Sequence, residues 1–320
     1  MSGTPPLRAA ILGCGSIARR HCEAFQVCGI PVVAVADTVP EAARSLAELA
    51  GPGTALYPSA EALFEAGGFE LLSICTPPLF HAAAAIRALE CNLHVLCEKP
   101  LAATLADARE IEKAAARSSG RLMVAFRHRF LDSTAQIRTL LAEQVLGDVL
   151  LFRNEFHSSL APVPGSWFFR RKIAGGGCLI DTGSHSIDLF RHLFGEITGA
   201  KAVLTHRFPA TDVEDGAVLL VRNREGVSGV LVSSFGGVGR AEIEITGTLG
   251  RLRYEYGGEI RLDCPAANRR EVIVPERGNG FAAEVAAFLR AIEAGLPPPV
   301  DIADGVRVQE VLDACYRNAP

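Results

Sequence analysis

Residues Leu7–Leu12 form a short apolar run that ends in Gly13-Cys14-Gly15-Ser16-Ile17-Ala18, after which Ile17–Val27 reads as a helix. A second, β-branched run, Val32–Ala36, follows and ends at Asp37. This order constrains the chain more than any other feature. Gly13 permits the tight strand-to-helix turn, Gly15 lets the main chain approach a ligand, and the small Ala18 lets helix and strand pack closely. The helix N-terminus then faces whatever anion sits at the turn. A lone GxGxxA is weak, but here a carboxylate ends the next strand about twenty residues on, where it can bind the hydroxyls of a ribose. The pair points to a dinucleotide.

The alternation continues. Leu71–Cys75 and His94–Cys97 are further apolar runs, stopped by Thr76-Pro77-Pro78 and by Glu98-Lys99-Pro100, and Leu122–Phe126 reads as the last strand before the exit from this domain. Helical segments lie between them at Glu41–Ala50, Glu61–Glu65, Phe80–Glu90 and Leu105–Arg117, the last with Thr104 and Asp107 placed as a capping box with Asp in place of Glu. Apolar strands alternating with helices predict a parallel sheet covered on both faces.

Beyond a helix near Thr134–Val145 the pattern changes. The runs Asp148–His157, Ala200–Phe208, Asp215–Val221, Val227–Phe235, Ala241–Thr246 and Arg251–Tyr256 include several that alternate apolar and polar residues, with Gly or Asn in the breaks. Such runs predict a mainly antiparallel sheet with one face on a core. One helix, from about Cys178 to Leu193, interrupts them, led in by Gly175-Gly176-Gly177 and stopped by Gly195. Helices near Phe281–Ala294 and Gly305–Asn318 close the chain. The expected fold is α/β: a Rossmann-type, doubly wound parallel sheet over residues 1–125, then an α/β domain with an open, mainly antiparallel sheet over residues 126–320. The C-terminal helices are free to pack back on the first domain.

Composition excludes several classes of function. A net charge of −4 gives no electrostatic reason to expect nucleic acid or an anionic membrane as partner. The nine cysteines include no CxxC pair and several sit in apolar runs, so they read as reduced thiols in the cytoplasm, with neither a disulfide framework nor a metal site. Met1–Arg8 lacks the basic-then-apolar pattern of a signal peptide, and no apolar run reaches transmembrane length.

Two further motifs carry chemistry. Lys99 is one of only four lysines, with Lys113, Lys172 and Lys201, and it ends a parallel strand at the edge where open α/β sheets bind ligands. There it can stabilise developing alkoxide charge; a solvated lysine paired with Glu98 fits the sequence equally well. Pro100 restricts Lys99 to an extended conformation. Asp181 and His185 are one helical turn apart, so that the carboxylate can orient an imidazole acting as general acid or base. A surface hydrogen bond is the plainer reading of that spacing. Asp188 and His192 continue the stripe further from the glycines and read as structural.

Together the segments GCGSIARRH (Gly13–His21), ICTPPLFH (Ile74–His81), HVLCEKP (His94–Pro100) and GGGCLIDTGSHSIDLFRHLFG (Gly175–Gly195) resemble the Gfo/Idh/MocA oxidoreductase family, and the likeness runs through most of the chain. The resemblance implies a Rossmann domain followed by an α/β domain whose open sheet builds dimers or tetramers. It implies a catalytic group of Lys99, Asp181 and His185. The histidine takes the hydroxyl proton while hydride leaves the same carbon for a nicotinamide, and the lysine and aspartate orient the substrate.

Cofactor contacts are expected from Gly13, Gly15, Ser16 and Ile17 at the turn and from Asp37 and Thr38 after the second strand. Cys75, Thr76, Pro77 and His81 at and beyond the end of the Leu71–Cys75 run, and Glu98 and Lys99 after the next run, complete the set; a helix-terminal structural role fits His81 as well. Asp37 would repel a 2′-phosphate and Thr38-Val39-Pro40 offers no arginine to accept one, so NAD is expected, with NADP possible through Arg44. Candidate substrate contacts beyond the catalytic group are His128, His157 and Trp167. Val124–Phe130 matches the family loosely, and Ser158–Trp167 resembles its variable pocket loop; Trp167 suits a sugar-stacking platform or a core anchor. The expected partners are a small polyhydroxylated substrate (a sugar, cyclitol or sugar-derived metabolite) and further copies of the chain in a homodimer or homotetramer. Two alternatives remain: an enzyme that recycles a tightly bound NAD, and a nucleotide-sensing regulator, which has no need of the proton-transfer residues.

Overall fold

The computed structural model describes residues 7–161, 163, 165–209 and 211–318. Most of the N-terminal stretch read for a targeting signal lies outside them, as do Pro162 and Pro164 of the loop before Trp167. The chain divides into two compact units, residues 1–127 with 279–306, and residues 128–278 with 307–320. The sequence-based boundary at 125/126 leaves the segment 279–306 on the other side.

The first unit contains six strands, β1 (Ala9–Leu12), β2 (Val32–Ala36), β3 (Ala55–Tyr57), β4 (Leu71–Ile74), β5 (His94–Glu98) and β6 (Leu122–Ala125). All neighbours pair parallel, in the order β3-β2-β1-β4-β5-β6. Helices α1 (Ser16–Val27), α2 (Pro40–Ala50), α3 (Ala60–Ala66), α4 (His81–Glu90) and α5 (Leu105–Ala115) connect them. β1, β4 and β6 are buried at every residue, as their unbroken apolar sequences require of strands covered on both faces. β3 was not read from the sequence. At three residues, half-exposed on the sheet edge, it is too short for a periodic signal. Thr104 Oγ1 accepts the Asp107 N–H at 3.1 Å and donates to its carboxylate at 2.7 Å, so the cap on α5 forms as the spacing predicts. The strand order reverses between β1 and β4, the crevice where such sheets bind ligands.

The second unit contains α6 (Asp132–Ala142), β7 (Val149–His157), the short α7 (Arg171–Ala174), α8 (Ser184–Phe194) and strands β8 (Ile197–Thr205), β9 (Gly216–Asn223), β10 (Ser228–Ser234), β11 (Arg240–Gly247), β12 (Arg251–Glu255), β13 (Ile260–Cys264) and β14 (Arg269–Ile273). Its eight strands run β14-β13-β12-β11-β7-β10-β9-β8, and only β7–β10 pair parallel. The sequence reading stopped at Tyr256 and missed β13 and β14, the latter a mostly charged edge strand. α8 lies against one face, with Phe190 5.9 Å and Phe194 5.3 Å from the Phe152 ring. Gly229 must be small there, since a Cβ would sit 2.9 Å from the Phe190 ring.

The other face is divided. Register places Val203, Val218 and Val232 in one row with Glu155 and Glu242, and Leu220 and Val230 in the next with Arg153, Glu244 and Arg253. Leu220 is 59% and Val203 58% exposed. Beside them, Arg153 and Arg253 bridge Glu242 and Glu244 at 3.0–3.3 Å.

Two helices end the chain, α9 (Gly280–Glu293) and α10 (Ile302–Asn318). α9 belongs to the first unit and lies beside α1, with Cys28 Sγ 3.5 Å from the Ala282 carbonyl. The segment after it adds to the edge of β6, where Val124 N donates to the Val300 carbonyl at 3.1 Å.

Candidate active site

At the turn after β1, Gly13 has φ +87°, and a Cβ there would stand 2.7 Å from the Cys75 carbonyl carbon and the Thr76 nitrogen. Only glycine lets the ends of β1 and β4 approach so closely. Gly15 is the opposite case: a Cβ would meet nothing within 4 Å, so its second role is to leave space. It caps α1 with no side-chain hydrogen bond, leaving the first-turn amides for a ligand. Asp37 closes the cradle. One carboxylate oxygen accepts the Cys14 N–H at 2.6 Å and the other the Val39 N–H at 2.8 Å, and each oxygen retains a lone pair for a ribose hydroxyl. Burial, with Asp37 beside it, pushes the Cys14 thiol up to about 12, so it is an inert wall of the turn. Thr76 Oγ1 is buried without a hydrogen-bond partner among the described residues. An open glycine, uncapped amides, a fixed carboxylate and this unsatisfied hydroxyl fit a bound dinucleotide.

The remaining expected contacts of this unit divide. Thr38 is exposed beside Asp37, and Arg44 is exposed on α2. Pro77 precedes a short turn, Pro78–Phe80, that leads into α4. His81 is buried, with Nδ1 2.9 Å from the Pro100 carbonyl and Nε2 2.8 Å from the Thr76 carbonyl. It ties the end of β4 to the turn after β5 and presents neither nitrogen to a ligand in this arrangement. Burial holds its pKa below the ordinary histidine value despite the two carbonyls.

Glu98 turns inward. Its Oε1 lies 3.0 Å from His21 Nε2, and its Oε2 accepts the Lys99 N–H at 3.0 Å. His21 Nδ1 lies 2.8 Å from Ser73 Oγ. Burial disfavours both charges, but the Cys75 sulfur and the Glu98 carboxylate hold the His21 pKa well above its ordinary value, and His21 and Lys99 hold that of Glu98 below. The pair lies inside the fold, and each partner favours the charge of the other. Sequence reasoning quoted His21 within its motif without singling it out; the available signal was a polar residue on the buried stripe Ala18, His21, Cys22 and Phe25.

In the second unit the three glycines have distinct reasons. Gly175 ends α7 in the left-handed region at φ +86°. A Cβ on Gly176 would overlap the Tyr316 hydroxyl, and one on Gly177 the Glu214 carbonyl. Glu214, fully buried, accepts the Gly177 and Leu179 N–H groups at 2.8 and 3.1 Å and the Tyr316 O–H at 2.8 Å, all on Oε1. Arg171 lies over the Tyr316 ring at 4.8 Å. This carboxylate caps the helix that carries Asp181 and His185, and nothing local in the sequence announces it.

That helix opens with a π-helical turn, Leu179–Gly183, before continuing as α8. Thr182 and Ser184 hydroxyls take up the Cys178 and Asp181 carbonyls at 3.1 and 2.8 Å. π turns of this kind often occur at functional sites. Asp181 is partly exposed and His185 is 8% exposed. The His185 ring packs edge-on against His128, centroids 4.4 Å apart, with Phe156 at 6.4 Å. Tyr256 backs His128 at 5.2 Å and Phe156 at 4.9 Å.

The loosely matched segment Val124–Phe130 is thereby sorted. Arg127 lies over Phe281, His128 joins His185, and Arg129 makes a buried two-pronged ion pair with Asp188 at 2.9 and 3.1 Å from its Nε. Trp167 is 38% exposed and rests on Phe168, which in turn rests on Phe235. His157 goes elsewhere: it shares a strand face with Glu155, bonds Ser234 Oγ at 2.8 Å, and lies opposite Phe156 and His185. No group of three or more metal-binding side chains is found among the described residues.

Comparison with known proteins agrees with this geometry. A model of the oxidoreductase family with NAD-binding Rossmann fold matches residues 7–126, and the Gfo/Idh/MocA C-terminal domain matches residues 134–253. The chain is 25% identical to levoglucosan dehydrogenase of Pseudarthrobacter phenanthrenivorans over 98% of its own length and 96% of that protein. It is 34% identical to D-glucoside 3-dehydrogenase of Escherichia coli over 63% and 58%, respectively. Among solved structures, levoglucosan dehydrogenase in complex with NADH and levoglucosan superposes with a TM-score of 0.90 at 25% identity, covering 98% of this chain and 97% of that one. Aldose-aldose oxidoreductase from Caulobacter crescentus, complexed with glycerol, does so with 0.89 at 26% and the same coverage. With both halves of the family's architecture matched in sequence and the whole chain matched in fold, the protein is a member of the Gfo/Idh/MocA oxidoreductases, built on an NAD-binding Rossmann domain.

Proposed function

We propose that the protein transfers hydride between NAD and a secondary alcohol of a sugar, cyclitol or sugar-derived metabolite. The observation that carries this reading is the combination of an open dinucleotide cradle ending in Asp37 with a helix bearing Asp181 and His185. The sugar substrates of the relatives named above support the substrate class. NAD bound at the cradle would supply the hydride acceptor. His185 removes the hydroxyl proton, Lys99 offsets the alkoxide charge as the C–O bond becomes a carbonyl, and Asp181 orients the imidazole. His128, through its contact with His185, and Trp167, as a half-exposed stacking surface, are assigned to the substrate side.

The exposed valine and leucine rows of the second unit's sheet support assembly into a homodimer or homotetramer. Nine free cysteines suit the reducing cytoplasm, and no helix among the described residues is long and apolar enough to cross a membrane. The test is nicotinamide absorbance with levoglucosan, D-apiose, a methyl D-glucoside and myo-inositol, each with NAD and NADP. Turnover of at least one sugar or cyclitol is expected; no turnover of any, with NAD bound, would overturn the reading.

A further inference from the structure

We propose that His21 is a positioning residue for Lys99, acting through the buried Glu98 carboxylate. The inference rests on the reading of Lys99 as a substrate-handling group. Three elements meet at His21: α1 supplies the imidazole, β4 supplies Ser73 at 2.8 Å, and β5 supplies Glu98 at 3.0 Å. His21 is 1%, Ser73 0% and Glu98 7% exposed. The other groups facing the ring are Cys75, whose sulfur is 3.5 Å from Ser73 Oγ, and Phe281 of α9, centroid at 6.0 Å with Arg127 over its ring.

An ion pair in such a place is a poor way to gain stability. Replacing a buried pair with apolar side chains of similar volume is often neutral or favourable, because desolvation consumes the Coulombic gain. What the pair provides is geometry. His21 fastens one oxygen of Glu98, and the other then accepts the main-chain N–H of Lys99 at the last step of β5. The lysine is thus held from below at the strand's ligand edge. His21 also sits on the helix whose first turn forms the dinucleotide cradle, so Lys99 is registered against the same element that would hold the cofactor.

Loss of His21 leaves Glu98 buried beside Lys99 alone. The carboxyl then either takes a proton, which weakens its hold on the Lys99 N–H, or turns, which removes it. Misplacement by about 1 Å can cost on the order of a hundredfold in rate.

The test uses His21→Gln and Glu98→Gln in the full chain. Expected for His21→Gln is a kcat lower by about ten- to a hundredfold, with NADH affinity by nicotinamide fluorescence within about twofold of wild type. The acid limb of its pH–rate profile should move to higher pH, because Glu98 now protonates more readily. A merely structural role would lower the yield of folded protein and leave that limb in place. A second readout needs no turnover. With four lysines in the sequence, reductive ¹³C-methylation gives four lysine NMR signals besides that of the terminal amine, and that of Lys99, assigned with Lys99→Arg, should shift in His21→Gln. Wild-type kcat, acid limb and Lys99 signal in His21→Gln would overturn the inference. Should that variant not fold, Glu98→Gln carries the test, and wild-type kcat there overturns it equally. Full activity in Lys99→Ala would instead overturn the underlying reading of Lys99.

Discussion

The imidazole of His128 stands edge-on to that of His185, with centroids 4.4 Å apart and planes inclined at 70°. His128 is itself packed by Phe156 at 5.3 Å and Tyr256 at 5.2 Å, so the three rings form a wall that sets the plane of His185. Edge-to-face ring pairs are worth about 0.5–1.5 kcal/mol beyond their burial. His128→Phe preserves the wall and should keep kcat within about threefold, whereas His128→Ala should lose about ten- to a hundredfold. Steady-state kinetics decide: a large rise in substrate KM with His128→Phe would show that the imidazole binds substrate directly.

His185 carries the sharper expectation. Removing a positioned acid or base costs about a hundred- to ten-thousandfold in rate. His185→Ala should therefore lose most alcohol oxidation while binding NAD normally, since the cradle of Gly13, Gly15 and Asp37 belongs to the first unit. Wild-type-like turnover of His185→Ala would remove it from the chemistry.

The buried pair of His21 and Glu98 predicts a pH window for stability. His21 has a raised folded-state pKa, so its contribution is complete below the ordinary value of 6.5 and is lost as pH rises through the folded value. Glu98 has a lowered one, so its contribution is complete above the ordinary value of 4.5 and is lost as pH falls through the folded value. The advantage of wild type over Glu98→Gln in urea unfolding should therefore be greatest between 4.5 and 6.5, at about 1.5–3 kcal/mol for a hydrogen bond to a charged group. A flat difference from pH 4 to 9 would contradict an ionised pair.

Cofactor preference should follow Asp37. Two negative charges 4 Å apart repel by about 1–4 kcal/mol between fully hydrated and surface-like surroundings, so NAD should be favoured over NADP by about tenfold or more in kcat/KM. Asp37→Ala also frees the Cys14 and Val39 amides, which will weaken both cofactors. The ratio is therefore the informative quantity, and it should move toward one. An equal or better kcat/KM with NADP in the wild type would refute the assignment.

How legible the molecule was depended on the range of the signal. The first unit's sheet could be read because its strands are continuous apolar runs and its turn needs glycine at Gly13 for a local reason, φ and a close neighbour. β3 has three residues and β14 four charged or half-exposed positions at an edge, so neither offers a period to detect. The helix that carries Asp181 and His185 was legible, but the π turn that opens it at Leu179–Gly183 was not, because it follows from hydroxyl and carbonyl geometry along that segment. His21 and Glu214 escaped for a common reason. Each is a buried polar side chain whose meaning lies with partners 77 and 102 residues away, Glu98 and Tyr316.

The divided face of the second sheet leads to the last prediction. Val203, Val218 and Val232 form one cross-strand row, with Leu220 and Val230 in the next, and Leu220 and Val203 are more than half exposed. An apolar sheet face left in water is an aggregation hazard unless another surface covers it. The neighbouring half carries Arg153, Glu242, Glu244 and Arg253, already paired within the chain at 3.0–3.3 Å. Charges that arrive paired cost less to desolvate than lone ones, so the whole face can be buried against a second copy. Sheet-on-sheet packing of like faces gives the two-fold arrangement most common among homo-oligomers. Leu220→Glu with Val218→Arg places charges in the middle of the apolar rows while leaving the α8 face untouched. Wild type should scatter light as a dimer or tetramer at micromolar concentration and the double variant as a folded monomer. A monomeric wild type would exclude the assembly, and an unchanged oligomer in the variant would place the interface on another face.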